Sequence, residues 1–384
     1  MNRRQVLRVL GGGAIAAAVP MGGCSSALPP EAIAAWNGPG SEPDVRRWVL
    51  AHAILAPHSH NLQSWLVDLR ETDVITLHVD LTRLLPETDP FSRQMILSQG
   101  TFLELLDLAA RQRGLRAETM AFPEGTFGPE RLDARPTARV RLVPDPAVSA
   151  DPLFDAIFRR HTNREPYAAR APEASALQAV RDSVAGYPVA IGFVGPDEPA
   201  ALQAHREVAM AAWRVEMTTP RVLLEAYQVL RVGPREIAEH RDGIPLNSPM
   251  VRLLTALGLF DRTRPSDPDS AAVRRQIDDF DAKIAATPAF FWMTTEDNGR
   301  ATQLLAGRAF VRAQLAATAH GLSMHPLQQA LQEYPEQRGQ YDAIRRLLGG
   351  RTEGQTVQMW ARLGYGPPVG PAPRRGVDAH VLRS

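Results

Sequence analysis

Residues 159–167 read Arg-Arg-His-Thr-Asn-Arg-Glu-Pro-Tyr, placing three arginines, a threonine hydroxyl and an asparagine within six positions. Guanidinium forks, a hydroxyl and loop N–H groups can cradle a phosphate. The same residues could also make a solvated basic loop. A second polar stretch, Pro-His-Ser-His-Asn-Leu-Gln-Ser-Trp at 57–65, admits three readings. It could be a metal site, a catalytic histidine pair or a polar loop shaped around a ligand. His52, His58 and His60 have no cysteine or acidic ligand at a zinc-like spacing, so the metal reading is weak. A hydrolase triad is weaker still, because no G-x-S-x-G occurs and the core lacks a nucleophilic cysteine.

These loops need a framework, and the chain is long enough to supply one. Its 384 residues suit two average domains or one large one. The composition is 44% apolar and 22% charged, ordinary for a folded protein. Lysine plus arginine number 43 against 42 acids, which argues against a nucleic-acid binder. Nearly all the positive charge is arginine, with Lys283 the one lysine.

Two segments align by their glycines. Gly100-TFLELLD-Leu108-Ala109-Ala110-RQR-Gly114-Leu115 and Gly307-RAFVRAQ-Leu315-Ala316-Ala317-TAH-Gly321-Leu322 both read G-x7-L-A-A-x3-G-L. Each predicts a helix with small and apolar residues on one face, closed by glycine. Strands are predicted at 74–81 and 289–295 before these helices, and at 137–143 and 356–364 after them. Two short helices are expected around 324–348. A helix is also expected over Pro152–Phe158, with another beginning near Pro172. The pattern is α+β. Between the halves, about 197–286, prolines and glycines cut a helix-rich stretch that adds no clear strand. It reads as an insertion or lid.

The first residues, M-N-R-R-Q-V-L-R-V-L followed by a short glycine- and alanine-rich apolar run, form a signal peptide pattern. Arg3-Arg4 resembles the twin-arginine export motif. Met21-Gly22-Gly23-Cys24 resembles a lipobox, and Cys24 is the single cysteine. Residues 25–45 read as a tether. The twin-arginine route, as the resemblance implies, carries folded proteins and suits one that takes up a cofactor before export.

Arg160, Thr162, Arg164 and Tyr167 form R-x-T-x-R-x-x-Y, which resembles the phosphate-binding motif of nitroreductase-fold flavoproteins. A-P-H-S-H-N-L-Q-S-W (56–65) is similar to that family's A-P-S-x-x-N-x-Q-P-W loop, with Ser64 at the usual proline and His58 beside the motif serine. Residues 307–331 resemble its flavin-edge helix and following loop, and 363–375 its carboxy-terminal G-Y-P…R element. The order of the blocks resembles the exported, lid-bearing Acg-like branch.

That resemblance implies a nitroreductase-like fold in which two tandem halves form an intrachain pseudo-dimer with a helical lid. The expected boundaries are 1–30 for the signal, 31–150 and 151–384 for the halves, and about 200–285 for the insertion. It implies one FMN per chain, held by Arg160, Thr162 and Arg164 with Arg374 and Arg375. Ser59, Asn61 and Gln63 would contribute a rim from the first half, and Trp65 core. The run 325–329, including Pro326, Leu327 and Gln328, would pass the isoalloxazine edge, where a backbone N–H could meet flavin N5. Two functional classes follow. One is an oxidoreductase acting on small nitro- or quinone-like acceptors; the other is a non-catalytic FMN store closed by a lid. A monomer, periplasmic or membrane-anchored through Cys24, is expected.

Overall fold

The computed structural model describes residues 27–348 and 354–383. The export motif and Cys24 lie outside the described residues. Among the described residues no helix is long and apolar enough to cross a membrane.

Strands β1 (Trp65–Asp68), β2 (Val74–Val79), β3 (Leu115–Ala121) and β4 (Ala138–Pro144) form one antiparallel sheet in the order β1-β2-β4-β3. Strands β5 (Ala190–Val194), β8 (Ala289–Thr295), β9 (Ser323–Pro326) and β10 (Thr356–Gly364) form a second, in the order β5-β8-β10-β9. Numbered by their own succession, both sheets run 1-2-4-3. Each inserts one long helix between its second and third strands: α2 (Arg93–Arg111) in the first, α9 (Arg300–Ala319) in the second. Besides a single turn at Pro30–Ile33, the other α-helices are α1 (Val45–Ala53), α3 (Ala174–Asp182), α4 (Pro199–Thr218), α5 (Pro220–Gln228), α6 (Gly233–His240), α7 (Pro249–Ala256), α8 (Ala271–Ala285) and α10 (Arg338–Leu347).

The two long helices pack on each other, and the glycines aligned in the sequence stand at their crossing. A Cβ on Gly100 would lie 2.0 Å from Leu304 O, and one on Gly307 would lie 1.9 Å from Leu97 O. Backbones this close tolerate no side chain, which is why glycine occupies both places. Buried Glu104 on α2 anchors the pair through Arg308 Nε (2.7 Å), Arg312 Nη1 (2.8 Å) and Tyr187 Oη (2.6 Å). Burial alone would raise its pKa, but Arg308, Tyr187 and Arg312 outweigh that and hold the carboxyl below its ordinary range. Nearly every residue of α2 is buried, as a helix enclosed by both halves requires.

Several elements differ from expectation. The intervening stretch does hold strands: β6 (Leu230–Val232) and β7 (Ile244–Leu246) pair in parallel. Its outer helices are not a detached cap. Leu202 and Ala209 of α4 and Ile284 of α8 share one core with Phe290, Trp292 and Trp360 of the second sheet. Residues 323–326 are a strand, and 324–348 contains one α-helix with two 3-10 turns. Pro152–Arg159 is a 3-10 helix, capped where the Asp151 carboxylate accepts from Leu153 N (2.9 Å). β5 adds a strand before β8, so each half opens with two strands instead of one.

Early and late segments of the described residues meet. Val67 N donates to His380 O and Leu382 N to Val67 O, both at 2.8 Å, so the carboxy-terminal tail lies along β1. Arg374 N donates to Ala32 O (2.8 Å), and Trp36 Nε1 to Ala372 O (2.8 Å).

Candidate functional site

The 57–65 loop is held in a conformation the chain would not choose locally. His60, Asn61 and Gln63 have φ of 49°, 55° and 54°, a left-handed region that non-glycine residues seldom enter. Contacts from three directions fix it. Ser59 N donates to Ser98 Oγ (3.3 Å), and Ser59 Oγ to Gln94 Oε1 (3.1 Å). Asn61 Nδ2 donates to Gly243 O (3.1 Å) and Pro373 O (3.0 Å). Fully buried Gln63 donates from Nε2 to Arg241 O (3.0 Å) and accepts at Oε1 from Arg375 N (2.9 Å). Trp65 is core, with its Nε1 donating to Ser98 O (3.1 Å).

The two departures from the family loop answer each other. Ser64 brings an N–H that a proline would lack, and that N–H donates to His58 Nε2 (3.1 Å). His58 Nδ1 lies 2.8 Å from Ser59 O, so the ring is neutral with its proton on Nδ1. Burial, set against a hydrogen bond to Ser59 O, lowers its pKa to about 3. Both ring nitrogens are committed, so His58 is neither a surface residue nor free to meet phosphate or substrate. His60 is depressed to about 4 by burial and then by Arg164. Among the described residues no group of three or more metal-ligating side chains forms.

Arg160 and Arg374 are both 3% exposed. Their Nη2 groups donate to adjacent carbonyls at the loop's entrance, Arg160 to Leu55 O (3.1 Å) and Arg374 to Ala56 O (3.0 Å). Both guanidinium carbons stand near the Trp36 ring, 5.9 and 5.6 Å from its centroid. Arg375, 7% exposed, donates to Gln63 O. The Nε of all three is buried with no acceptor, and none pairs with a carboxylate among the described residues. Burial lowers Arg160 and Arg375 to about 10 and Arg374 well below its ordinary range, with Arg160 adding to the effect on Arg374. Desolvated cations without counter-charge are costly, and a bound anion would relieve the cost.

Arg164, four residues on from Arg160, is close enough to the 57–65 loop to lower the pKa of His60. It is accessible to solvent, yet desolvation is the leading cause of its lowered pKa, followed by Arg362. Arg362, His325 and Lys283 are close enough to interact with it electrostatically. The loop is shaped by Asn163, whose Oδ1 accepts from Glu165 N (3.0 Å) and whose Nδ2 donates to Pro367 O (2.8 Å) and Ser323 Oγ (3.2 Å). Thr162 bridges to Met324 of β9. Pro326 pairs with Ala361 in the sheet. Leu327 N donates to Trp360 O (2.8 Å) and its side chain is core, so its N–H is engaged. Gln328 has a buried Oε1 with no partner.

On the far side of that loop, buried Glu216 of α4 is raised to about 7, chiefly by burial, against the side chains of Gln332 and Gln329. Its folded pKa lies above the ordinary 4.5. The folded state therefore binds the extra proton between those values, and stability falls as pH rises through that window. Glu216→Gln is expected to raise the melting temperature by a few degrees at about pH 8 and to change it little at about pH 4. Thermal melts at the two pH values check this.

No family model matches the chain. A relative in two strains of Mycobacterium tuberculosis, provisionally named as an NAD(P)H nitroreductase, is 30% identical over 361 residues, covering 91% of this chain and 94% of its own. The chain belongs to the nitroreductase-like family. Solved structures also align with this nitroreductase-like chain. An FMN-dependent nitroreductase from Mycobacterium smegmatis in complex with NADPH is 19% identical, at a TM-score of 0.37 over 60% of this chain and 96% of that one. A nitroreductase with bound FMN from Bacteroides fragilis is 14% identical, at a TM-score of 0.31 over 57% and 90%. At those TM-scores the likeness carries no argument.

Sequence reasoning missed three residues around the site of this nitroreductase-like protein. Arg362, inside a strand, donates to His325 Nδ1 (3.0 Å) and Glu165 O (2.9 Å) and lies 4.1 Å from the Tyr167 ring centroid. Trp36 sits in a segment that reads as tether. Gln94 holds Ser59 from the first turn of α2. An arginine within the apolar run 359–363 of its strand was the one available signal, and it marks Arg362.

Proposed function

We propose that the chain is an FMN-binding oxidoreductase of nitroreductase type that reduces small nitro- or quinone-like acceptors. The observation that carries this reading is the trio Arg160, Arg374 and Arg375, buried and unpaired by acids, each with an orphaned Nε. A dianionic phosphate fits that donor set: it supplies acceptors and charge together. Arg160 and Arg374 would hold it, with Thr162 donating a hydrogen bond. Arg375 works through Gln63, fixing the loop's end. Ser59 and Asn61 would form the rim, with Pro326 and Gln328 along the ring edge. Bound there, FMN supplies two-electron transfer between a reduced donor and a flat acceptor. The positive field of Arg164, Arg362 and Lys283 would favour negative charge beside them.

The repeated 1-2-4-3 strand order and the crossing at Gly100 and Gly307 support a tandem pseudo-dimer in one chain. With one R-x-T-x-R motif, that reading gives one FMN per chain and a monomer. Export by the twin-arginine route, with a lipid on Cys24, is part of the same reading and rests on the amino-terminal sequence.

The storage alternative is favoured by one observation. Residues 241–243 are fastened to the rim loop through Asn61–Gly243 and Gln63–Arg241, and beside it through the Arg83–Asp242 ion pair, as a closed lid would be. The visible spectrum of the purified protein, followed by anaerobic titration with NADPH, tests both. Flavin bands that bleach are the expected result. Bands that bleach with dithionite but not with NADPH favour storage. A colourless protein that takes up no added FMN overturns the cofactor assignment.

A further inference from the structure

Arg362 of β10 is 1% exposed, and its fork is only partly used. Nε donates to His325 Nδ1 (3.0 Å), its register partner on β9, and Nη2 donates to Asn163 O (3.3 Å) and Glu165 O (2.9 Å). Nη1 is buried and has no acceptor. The neighbouring cations cannot supply one. Arg164 stands between the two residues whose carbonyls hold Nη2. Lys283 approaches from α8: Ile284 beside it packs with Trp360, which shares a face of β10 with Arg362. Each of these cations feels Arg362. Glu165 and Asp279 partly offset Lys283, but among the described residues no carboxylate forms an ion pair with Lys283, Arg164 or Arg362. His325 adds a donor of fixed direction. Its Nδ1 accepts from Arg362, so its proton sits on Nε2, which makes no hydrogen bond among the described residues.

We propose, resting on the FMN reading above, that Arg362, Lys283 and Arg164, with His325 Nε2–H, form a subsite for a carboxylate on the acceptor, so that flat aromatic acids are the preferred substrates. A carboxylate accepts from the orphaned Nη1 and screens cations that repel one another. Glu165 and Asp279 already offset part of the charge, which suits a single negative charge better than a second phosphate dianion. The neutral amide of the same acid accepts hydrogen bonds but brings no charge, and it forfeits most of the gain. The subsite adjoins the phosphate trio. Arg160 and Arg164 are four residues apart, at most about 14 Å along the chain. Arg164 also acts on His60 in the rim loop, which Arg375 holds through Gln63. Arg164 is exposed and Lys283 half-buried, so a solute can reach both.

Lys283 is the chain's one lysine, so its modification reports on this place alone. The FMN-loaded full chain is treated with acetic anhydride, and acetylation is read by mass spectrometry on the peptide carrying Lys283. Saturating 4-nitrobenzoate is expected to slow that acetylation roughly tenfold, and 4-nitrobenzamide to leave it unchanged. By titration calorimetry, Lys283→Gln should weaken 4-nitrobenzoate by about tenfold or more and shift the amide by less than about twofold, while Lys283→Arg restores most of the loss. Lys283 makes no ion pair among the described residues, so these variants should fold. Acid and amide binding equally well to the wild type overturns the proposal. So does an equal loss for both in Lys283→Gln, or protection of Lys283 by inorganic phosphate as strong as that by 4-nitrobenzoate. FMN loading is read separately from its visible absorbance. A loaded protein that fails to tell acid from amide overturns the subsite and leaves the flavin reading standing; a protein that takes up no FMN overturns both.

Discussion

Replacing Arg160 and Arg374 together with alanine is expected to give a folded but colourless protein. Each guanidinium would make charge-assisted hydrogen bonds to the phosphate, typically about 1.5–3 kcal/mol apiece. Losing both should weaken FMN binding by a factor on the order of 10²–10⁴. The fold should survive because these arginines are a liability without an anion: both are desolvated and neither meets a carboxylate among the described residues. Removing an uncompensated buried charge is often neutral or stabilising, which offsets the donors lost by Leu55 O and Ala56 O. Isothermal titration with FMN, alongside circular dichroism, separates the two effects. Affinity equal to wild type would show that the phosphate binds elsewhere. Arg164, which is exposed to solvent, should cost less when replaced alone.

Gly307→Ala is the second large effect. On an exposed helix this change is worth about 1 kcal/mol of stabilisation. Here the new methyl would sit 1.9 Å from Leu97 O and 2.8 Å from Leu97 C, which are backbone atoms that cannot rotate away. The helices α2 and α9 must separate, loosening a core in which Leu304, Val311 and Leu315 of α9 pack among residues of the first half. Overpacking of this kind costs about 1–3 kcal/mol, and a backbone clash belongs at or above the top of that range. Gly339, which has open space at its Cβ, is the control: alanine there should be neutral or slightly stabilising. Urea melts of the two variants should move in opposite directions or differ by at least about 3 kcal/mol. A Gly307→Ala protein as stable as wild type would mean the crossing is wider than described.

What the sequence made legible was whatever a local rule dictates. The aligned glycines were visible because close helix approach demands glycine where the two backbones touch. β2, β4, β8 and β10 were visible because alternating or continuous apolar runs reveal strands. β5 was hidden by its Gly192, which looks like a strand breaker. Its missing side chain makes room for the Trp292 ring, 2.1 Å from where a Cβ would be. β6 and β7 have three residues each and Pro245 sits in one of them, too little pattern for any periodicity to show. The 57–65 loop was recognisable by residue type, but the role of His58 was not. Its partner is the backbone N–H of Ser64, a need created only by the fold. Glu216 likewise looks like any surface glutamate on an amphipathic helix until the 328–334 segment is laid over it.

The contact between Ala32 and Arg374 has a consequence for the order of events during synthesis. Arg374 is made more than 300 residues after Ala32, whose carbonyl its backbone N–H meets. A nascent fragment that stops short of residue 374 therefore cannot bring this guanidinium beside Trp36. Arg160 and Arg374 come together only once the later segment has been made and has folded back along β1.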